Sequence, residues 1–246
     1  MPKAPQTADE VLPKVVKDLQ DVFGPELVSV VLYGSAAGDE YRPGLSDMNL
    51  LVVISESGLS SMARLAPAYQ SWRKLRVAPP MVVTPAEIES SLDAFPLEFL
   101  NMKLRYKMAF GLDPLAEVSV DPADLRLQCE RELKGKLFLL REAMFSTGGR
   151  EEELRETALA SIKAFVAIFR GVLHLLGEEA GALSGGQVLK QAAGRLELND
   201  GSVLNEVWEL RDLKKQPKGR LRQLFGSYLS VIAEAAAKID TWTPEG

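Results

Sequence analysis

Apolar positions in the first part of the chain change their period several times, and each change predicts an element. Val11, Val15, Val16, Leu19 and Phe23 recur every three to four residues, which predicts an amphipathic helix capped by Thr7 or Asp9 and ended by Gly24-Pro25. Pro13 suits that helix only near its first turn. Leu27 to Tyr33 is then a nearly unbroken valine and leucine run that stops at Gly34-Ser35, and Asn49 to Ile54 is a second such run. Both read as buried strands, and the stretch between them, with Gly38, Pro43 and Gly44, reads as a loop. Helical spacing returns from Gly58 to Leu75 through Leu59, Met62, Leu65, Ala66, Tyr69 and Trp72. Pro80 to Thr84 predicts a third strand. Thr84-Pro85-Ala86-Glu87 then combines a capping threonine, proline at the first helical position and a glutamate placed to close a capping box. Leu97, Leu100, Leu104 and Met108 predict one helix from Pro96 to Phe110, stopped by Gly111, with a turn at Asp113-Pro114.

No strand pattern follows Val120. Asp121-Pro122 opens a helical run to about Phe145, with Leu125, Leu133, Leu137 and Leu140 on its apolar side, and Gly148-Gly149 breaks it. Further helices are predicted over Glu151 to Leu176, Val188 to Leu196, Val203 to Leu213 and Gly219 to Ile239. The pattern therefore predicts an α+β protein: a small mixed-sheet domain with flanking helices over residues 1–115, then an all-helical bundle over 116–246.

Composition narrows the classes. Hydrophobic residues make up 46% and charged residues 26% of 246, ordinary globular usage that excludes general disorder. A net charge of -5 argues against a broad nucleic-acid-binding face. A single cysteine, Cys129, excludes an internal disulfide and a cysteine-rich metal site, and its helical context makes it a packing residue. The N-terminal stretch lacks a signal-type apolar core, and no unbroken apolar run approaches the roughly 18 residues of a membrane span. A cytoplasmic protein with no membrane partner is expected. The only histidine, His174, lies in the apolar stretch VLHLLG and is expected to pack with one ring nitrogen hydrogen-bonded. The cluster Lys214, Lys215, Lys218, Arg220 and Arg222 reads as a solvated face or as a phosphate-binding patch.

The candidate chemistry sits between the first two strands. A Gly34-Ser35 turn after a buried strand lets backbone approach a phosphate closely, and a helix N-terminus there would strengthen the contact. Asp47 and Asn49 are two residues apart at the start of the next strand, so they project from one face. Oxygen ligands placed that way suit Mg²⁺ bridging to a nucleoside triphosphate.

Gly34, Ser35, Ser46, Asp47 and Asn49 together resemble the signature of the DNA-polymerase-β-like nucleotidyltransferase superfamily: a Gly-Ser turn, a spacer, then Ser-Asp-x-Asp opening a strand. The resemblance covers roughly residues 10–115 and is nearest to the small bacterial and antibiotic-modifying branches. It implies that Asp47 and Asn49 are catalytic and metal-binding, and that Gly34, Ser35 and Ser46 hold the nucleotide, with Mg²⁺ as cofactor and ATP or another triphosphate as ligand. Two departures stand out. Asn49 replaces the second aspartate and carries no charge. The family's third acid belongs on a later strand, and Pro80-Met81-Val82-Val83-Thr84 has none; Asp39 and Glu40 are the nearest substitutes. The resulting expectation is a catalytically degenerate nucleotidyltransferase-fold protein that binds a nucleotide or a protein partner. The alternative is a Mg²⁺-dependent enzyme moving AMP from ATP to a hydroxyl of a small molecule or protein.

Overall fold

The computed structural model describes residues 7–38, 41–42, 46–213 and 219–243. The chain forms two compact units, Met1–Asp93 with Glu98–Ser119, and Ala94–Leu97 with Val120–Gly246.

The first unit is a four-stranded mixed sheet between two helical layers. Helix α1 (Ala8–Phe23) leads into β1 (Leu27–Tyr33), and β2 (Asn49–Ile54), α2 (Ala66–Arg73), β3 (Met81–Val83), α3 (Pro85–Ser91), α4 (Pro96–Leu104) and β4 (Tyr106–Gly111) follow. The spatial order is β3-β2-β1-β4; β1 pairs antiparallel with β2 and β4, and β2 pairs parallel with β3. Alternation along β2 separates two cores. Met48, Leu50, Val52 and Ile54 face α1 and the buried Trp72, whereas Leu51 and Val53 face Ile88, Phe99 and Met102 on α3 and α4. Asp47 and Asn49 fall on the Leu51–Val53 side of that alternation.

Several elements depart from the sequence expectation. Pro13 lies in the second turn of α1, where it removes a backbone bond at a cost of about 3 kcal/mol. The buried Val11, Leu12, Val15, Leu19 and Phe23 offset that cost, since full burial of such side chains is worth about 1.5–3 kcal/mol each. Thr7 occupies the cap position without a side-chain bond. Glu56–Leu65 is 3₁₀ rather than α-helix, so only Ala66–Arg73 keeps the expected form. The expected helix to Phe110 ends at Leu104, and Tyr106–Gly111 is a strand. Pairing with β1 decides the matter: Tyr33↔Tyr106 and Val31↔Met108 fill a ladder that a helix would leave open. Gly111 closes it with φ +78°, where an added Cβ would lie 1.9 Å from the Val28 carbonyl oxygen. The capping box of α3 forms as written: Thr84 Oγ1 accepts from the Glu87 N–H, and Glu87 accepts from the Thr84 N–H.

The second unit is helical: α5 (Pro122–Ser146), α6 (Glu151–Leu175), α7 (Gly185–Arg195), α8 (Ser202–Glu209) and α9 (Arg220–Asp240). Asp121 caps α5 by accepting from the Ala123 and Asp124 N–H groups. Phe165, Phe169, Phe225 and Tyr228 pack together in its core, with Phe165 and Phe225 edge-on to Tyr228, and Tyr228 Oη meets Ser161 Oγ at 3.1 Å. Helix α6 is long and apolar enough to cross a membrane by length and composition, although Lys163 and Arg170 interrupt the run; 56% of its most apolar window is buried within the protein. Cys129 is buried, as expected of a packing residue. His174 instead lies on an exposed face of α6. Of the basic cluster, Lys214, Lys215 and Lys218 lie outside the described residues. Arg220 pairs with Glu206, and Arg222 donates to the Gly149 carbonyl, so both serve helix packing.

Candidate functional site

The site is assembled by the ends of β1 and β2. Register pairs Tyr33 with Asn49, so the residue after Tyr33 meets the first residue of β2. Gly34 has φ +78°, and a Cβ on it would lie 3.3 Å from Asn49 Nδ2. The left-handed backbone favours glycine, and the Asn49 amide packs closely over it. The Gly34 N–H donates to the Arg105 carbonyl at 2.9 Å, which commits that amide to the backbone rather than to a ligand. The chain then turns through a short 3₁₀ segment, Gly34–Ala37, containing Ser35.

Ser46, just before β2, is bonded to Arg42. Its N–H donates to the Arg42 carbonyl at 2.8 Å, and its Oγ accepts from the Arg42 N–H at 3.1 Å. Asp47 follows, with its side chain 57% exposed, and Arg76 Nη2 meets Asp47 Oδ1 at 3.0 Å. Arg76 Nε also donates to the Ser46 carbonyl at 3.4 Å.

Arg76 was not legible from the sequence, and its position has a specific cause. The Val77 N–H donates to the Trp72 carbonyl and the Arg76 N–H to the Arg73 carbonyl. These are the two bonds of a Schellman motif closing α2, with Arg76 at the left-handed position that glycine usually fills, at φ 60°. The motif's apolar contact is present, because Val77 and Trp72 are both buried in one core. An isolated parallel bridge, Met48↔Val77, then sets the preceding residues Asp47 and Arg76 side by side. A second arginine backs the turn: a Cβ on Gly38 would lie 2.7 Å from Arg105 Nη2. Arg76 thus borders the strand entry and Arg105 the turn.

Tyr33 and Tyr106 pair across β1 and β4 at the same end of the sheet. Burial pushes the Tyr33 phenol up, and donation to Asp113 at 2.7 Å pushes the Tyr106 phenol up, so both stay neutral at physiological pH.

Met81 and Val83 pair with Leu51 and Val53 on β2 and pack with the core on the Asn49 side, so the third strand offers apolar side chains and no acid. Asp39 and Glu40 lie outside the described residues. Among the described residues no three His, Cys, Asp or Glu side chains are grouped to hold a metal. A Mg²⁺ arriving at Asp47 would face the fixed charge of Arg76. A double and a single positive charge about 4 Å apart repel by roughly 2 kcal/mol even in bulk water. As arranged, the described donors do not fit Mg²⁺, which favours charged oxygens.

No protein-family model and no curated protein matches the sequence. The four-stranded mixed sheet with its flanking helices, followed by a helical unit, matches the fold of a solved adenyltransferase. Among solved structures, the chain is similar to spectinomycin adenyltransferase AAD(9) from Enterococcus faecialis, determined with ATP and spectinomycin. The TM-score is 0.56 at 12% identity, over 96% of this chain and 100% of that one. At that identity the likeness shows the fold.

Proposed function

We propose that this chain uses a nucleotidyltransferase fold to bind a nucleoside triphosphate and that it is degenerate in transfer chemistry. The carrying observation is the Asp47–Arg76 ion pair: the one described carboxylate of the signature is held by a guanidinium. Asn49 supplies an uncharged amide packed against Gly34, and Met81 and Val83 are apolar. The arginine-bordered turn suits an anionic ligand, because guanidinium groups make strong charge-assisted bonds to phosphate oxygens. ATP in the adenyltransferase of similar fold supports a triphosphate as the ligand.

A second reading is Mg²⁺-dependent transfer of AMP to a small-molecule or protein hydroxyl, with Asp47 and Asn49 as metal ligands. Their common face on β2 favours it, and it requires Arg76 to leave Asp47. The deciding experiment is incubation with labelled ATP, Mg²⁺ or Mn²⁺ and cell extract, alongside thermal-shift titration with ATP. Thermal stabilisation without labelled product is expected. Labelled product that disappears in Asp47→Ala would establish the enzyme instead. Absence of both signals would leave an interaction module, binding a protein partner.

A further inference from the structure

The family pattern asks for a metal at Asp47, and this chain places a fixed organic cation there. Three observations make Arg76 more than a surface residue. Its guanidinium contacts both residues that open the signature strand, Asp47 at 3.0 Å and the Ser46 carbonyl at 3.4 Å. Its backbone is locked on both sides, since its carbonyl accepts the Met48 N–H at 2.9 Å and its N–H closes the α2 cap. Finally, it occupies a left-handed position with φ 60° that glycine would fill without strain. Strain of this kind persists where the surrounding structure over-determines it, and it concentrates at ligand sites. The guanidinium is planar, always charged and carries five donors, which matches the oxygens of a polyphosphate. Asp47 in this arrangement orients the guanidinium and does not serve as a metal ligand.

We infer that Arg76, steered by Asp47, takes the electrostatic role of the divalent cation, so that this site binds the polyphosphate of a nucleoside triphosphate without metal. The inference rests on the nucleotide-binding reading above and adds the binding group and the independence from Mg²⁺. Specificity follows: free triphosphate, not its Mg²⁺ complex, is the preferred form, because the complexed polyphosphate brings its own cation toward Arg76.

The test is isothermal titration of the full-length chain with ATP, and separately with inorganic tripolyphosphate, in excess EDTA and then in excess Mg²⁺. Wild-type protein is expected to bind both ligands in EDTA, with ATP affinity weaker in Mg²⁺. Arg76→Ala is expected to lose about tenfold or more in EDTA, as for removal of one charge-assisted contact. Arg76→Gly serves as the variant whose backbone suits the left-handed position, so a folded protein with the same loss is expected. Binding of ATP only when Mg²⁺ is present, or full affinity in Arg76→Gly, would overturn the inference while leaving nucleotide binding intact. Failure to bind ATP under either condition would instead remove the functional reading on which it rests.

Discussion

Replacing Arg76 by glycine should make the protein more stable and less able to bind its ligand. A residue with a Cβ in the left-handed region costs roughly 1–2 kcal/mol relative to glycine. Two contributions oppose the relief. The Asp47–Arg76 ion pair is partly exposed on both sides, at 57% and 42%, and such pairs are worth about 0–1 kcal/mol. Glycine also adds conformational freedom to the unfolded chain, by about 0.4–1 kcal/mol. The Schellman bonds are made by backbone and remain. Mid-range values leave a gain of about 0.3 kcal/mol, which in a chain of this size raises Tm by roughly 1 °C. Differential scanning calorimetry reads the shift, and ATP titration in EDTA reads the loss of binding in the same preparation. A fall in Tm of a few degrees would refute the account of strain at position 76. An unchanged ATP affinity would refute the account of why the strain is kept.

Further outcomes follow from other parts of the first unit. The double variant Arg76→Ala/Asn49→Asp removes the fixed cation and restores a second carboxylate; Mn²⁺ is expected to raise its Tm while leaving the wild type unmoved, and an equal response in both would show that Asn49 does not face Asp47. Gly111→Ala should cost more than about 2 kcal/mol by urea denaturation, because it combines a left-handed backbone with a Cβ 1.9 Å from the Val28 carbonyl oxygen. Gly34→Ala should be milder, about 1 kcal/mol, since its neighbour is the movable Asn49 amide at 3.3 Å. Burial pushes the Asp18 carboxyl up, but bonds from the Lys14 ammonium and the Trp72 indole N–H outweigh it and hold the group below its usual range. Its contribution is therefore present above the unfolded value near about 3.9 and is lost as pH falls through the lower folded value. Asp18→Asn should accordingly be less stable than wild type at pH 7, with the difference shrinking below about pH 4, as followed by Tm against pH.

What could be read from the chain and what could not divide along one physical line. Features fixed by neighbours in sequence were legible: the Thr84–Glu87 capping box, the two valine-rich strands and the Asp121 cap of α5 all depend on residues within a few positions of one another. Features fixed by pairing across the fold were not. Leu97, Leu100, Leu104 and Met108 keep a helical period, yet β1 draws Tyr106–Gly111 into its ladder, and only the partner strand decides that. Arg76 carries no local mark at all. It reaches Asp47 through the Met48↔Val77 bridge, and its left-handed backbone follows from the closure of α2, where a sequence rule would have asked for glycine. The glycine of the Gly-Ser turn was read as leaving room for a phosphate; its left-handed backbone had no mark in the sequence, and the group packed over it is the Asn49 amide.

The borders of the sheet bear on how this protein behaves at high concentration. β3 spans only Met81–Val83 and follows Pro79-Pro80, so one margin presents a very short run of amide and carbonyl groups to any foreign chain. The opposite margin, β4, carries Lys107, whose ammonium is tied to Asp9 at 2.6 Å on α1. A strand laid along β4 would crowd that charge. A short margin at β3 and a charge on β4 are features that disfavour edge-to-edge pairing, and they flank the valine-rich β1–β2 pair at the centre.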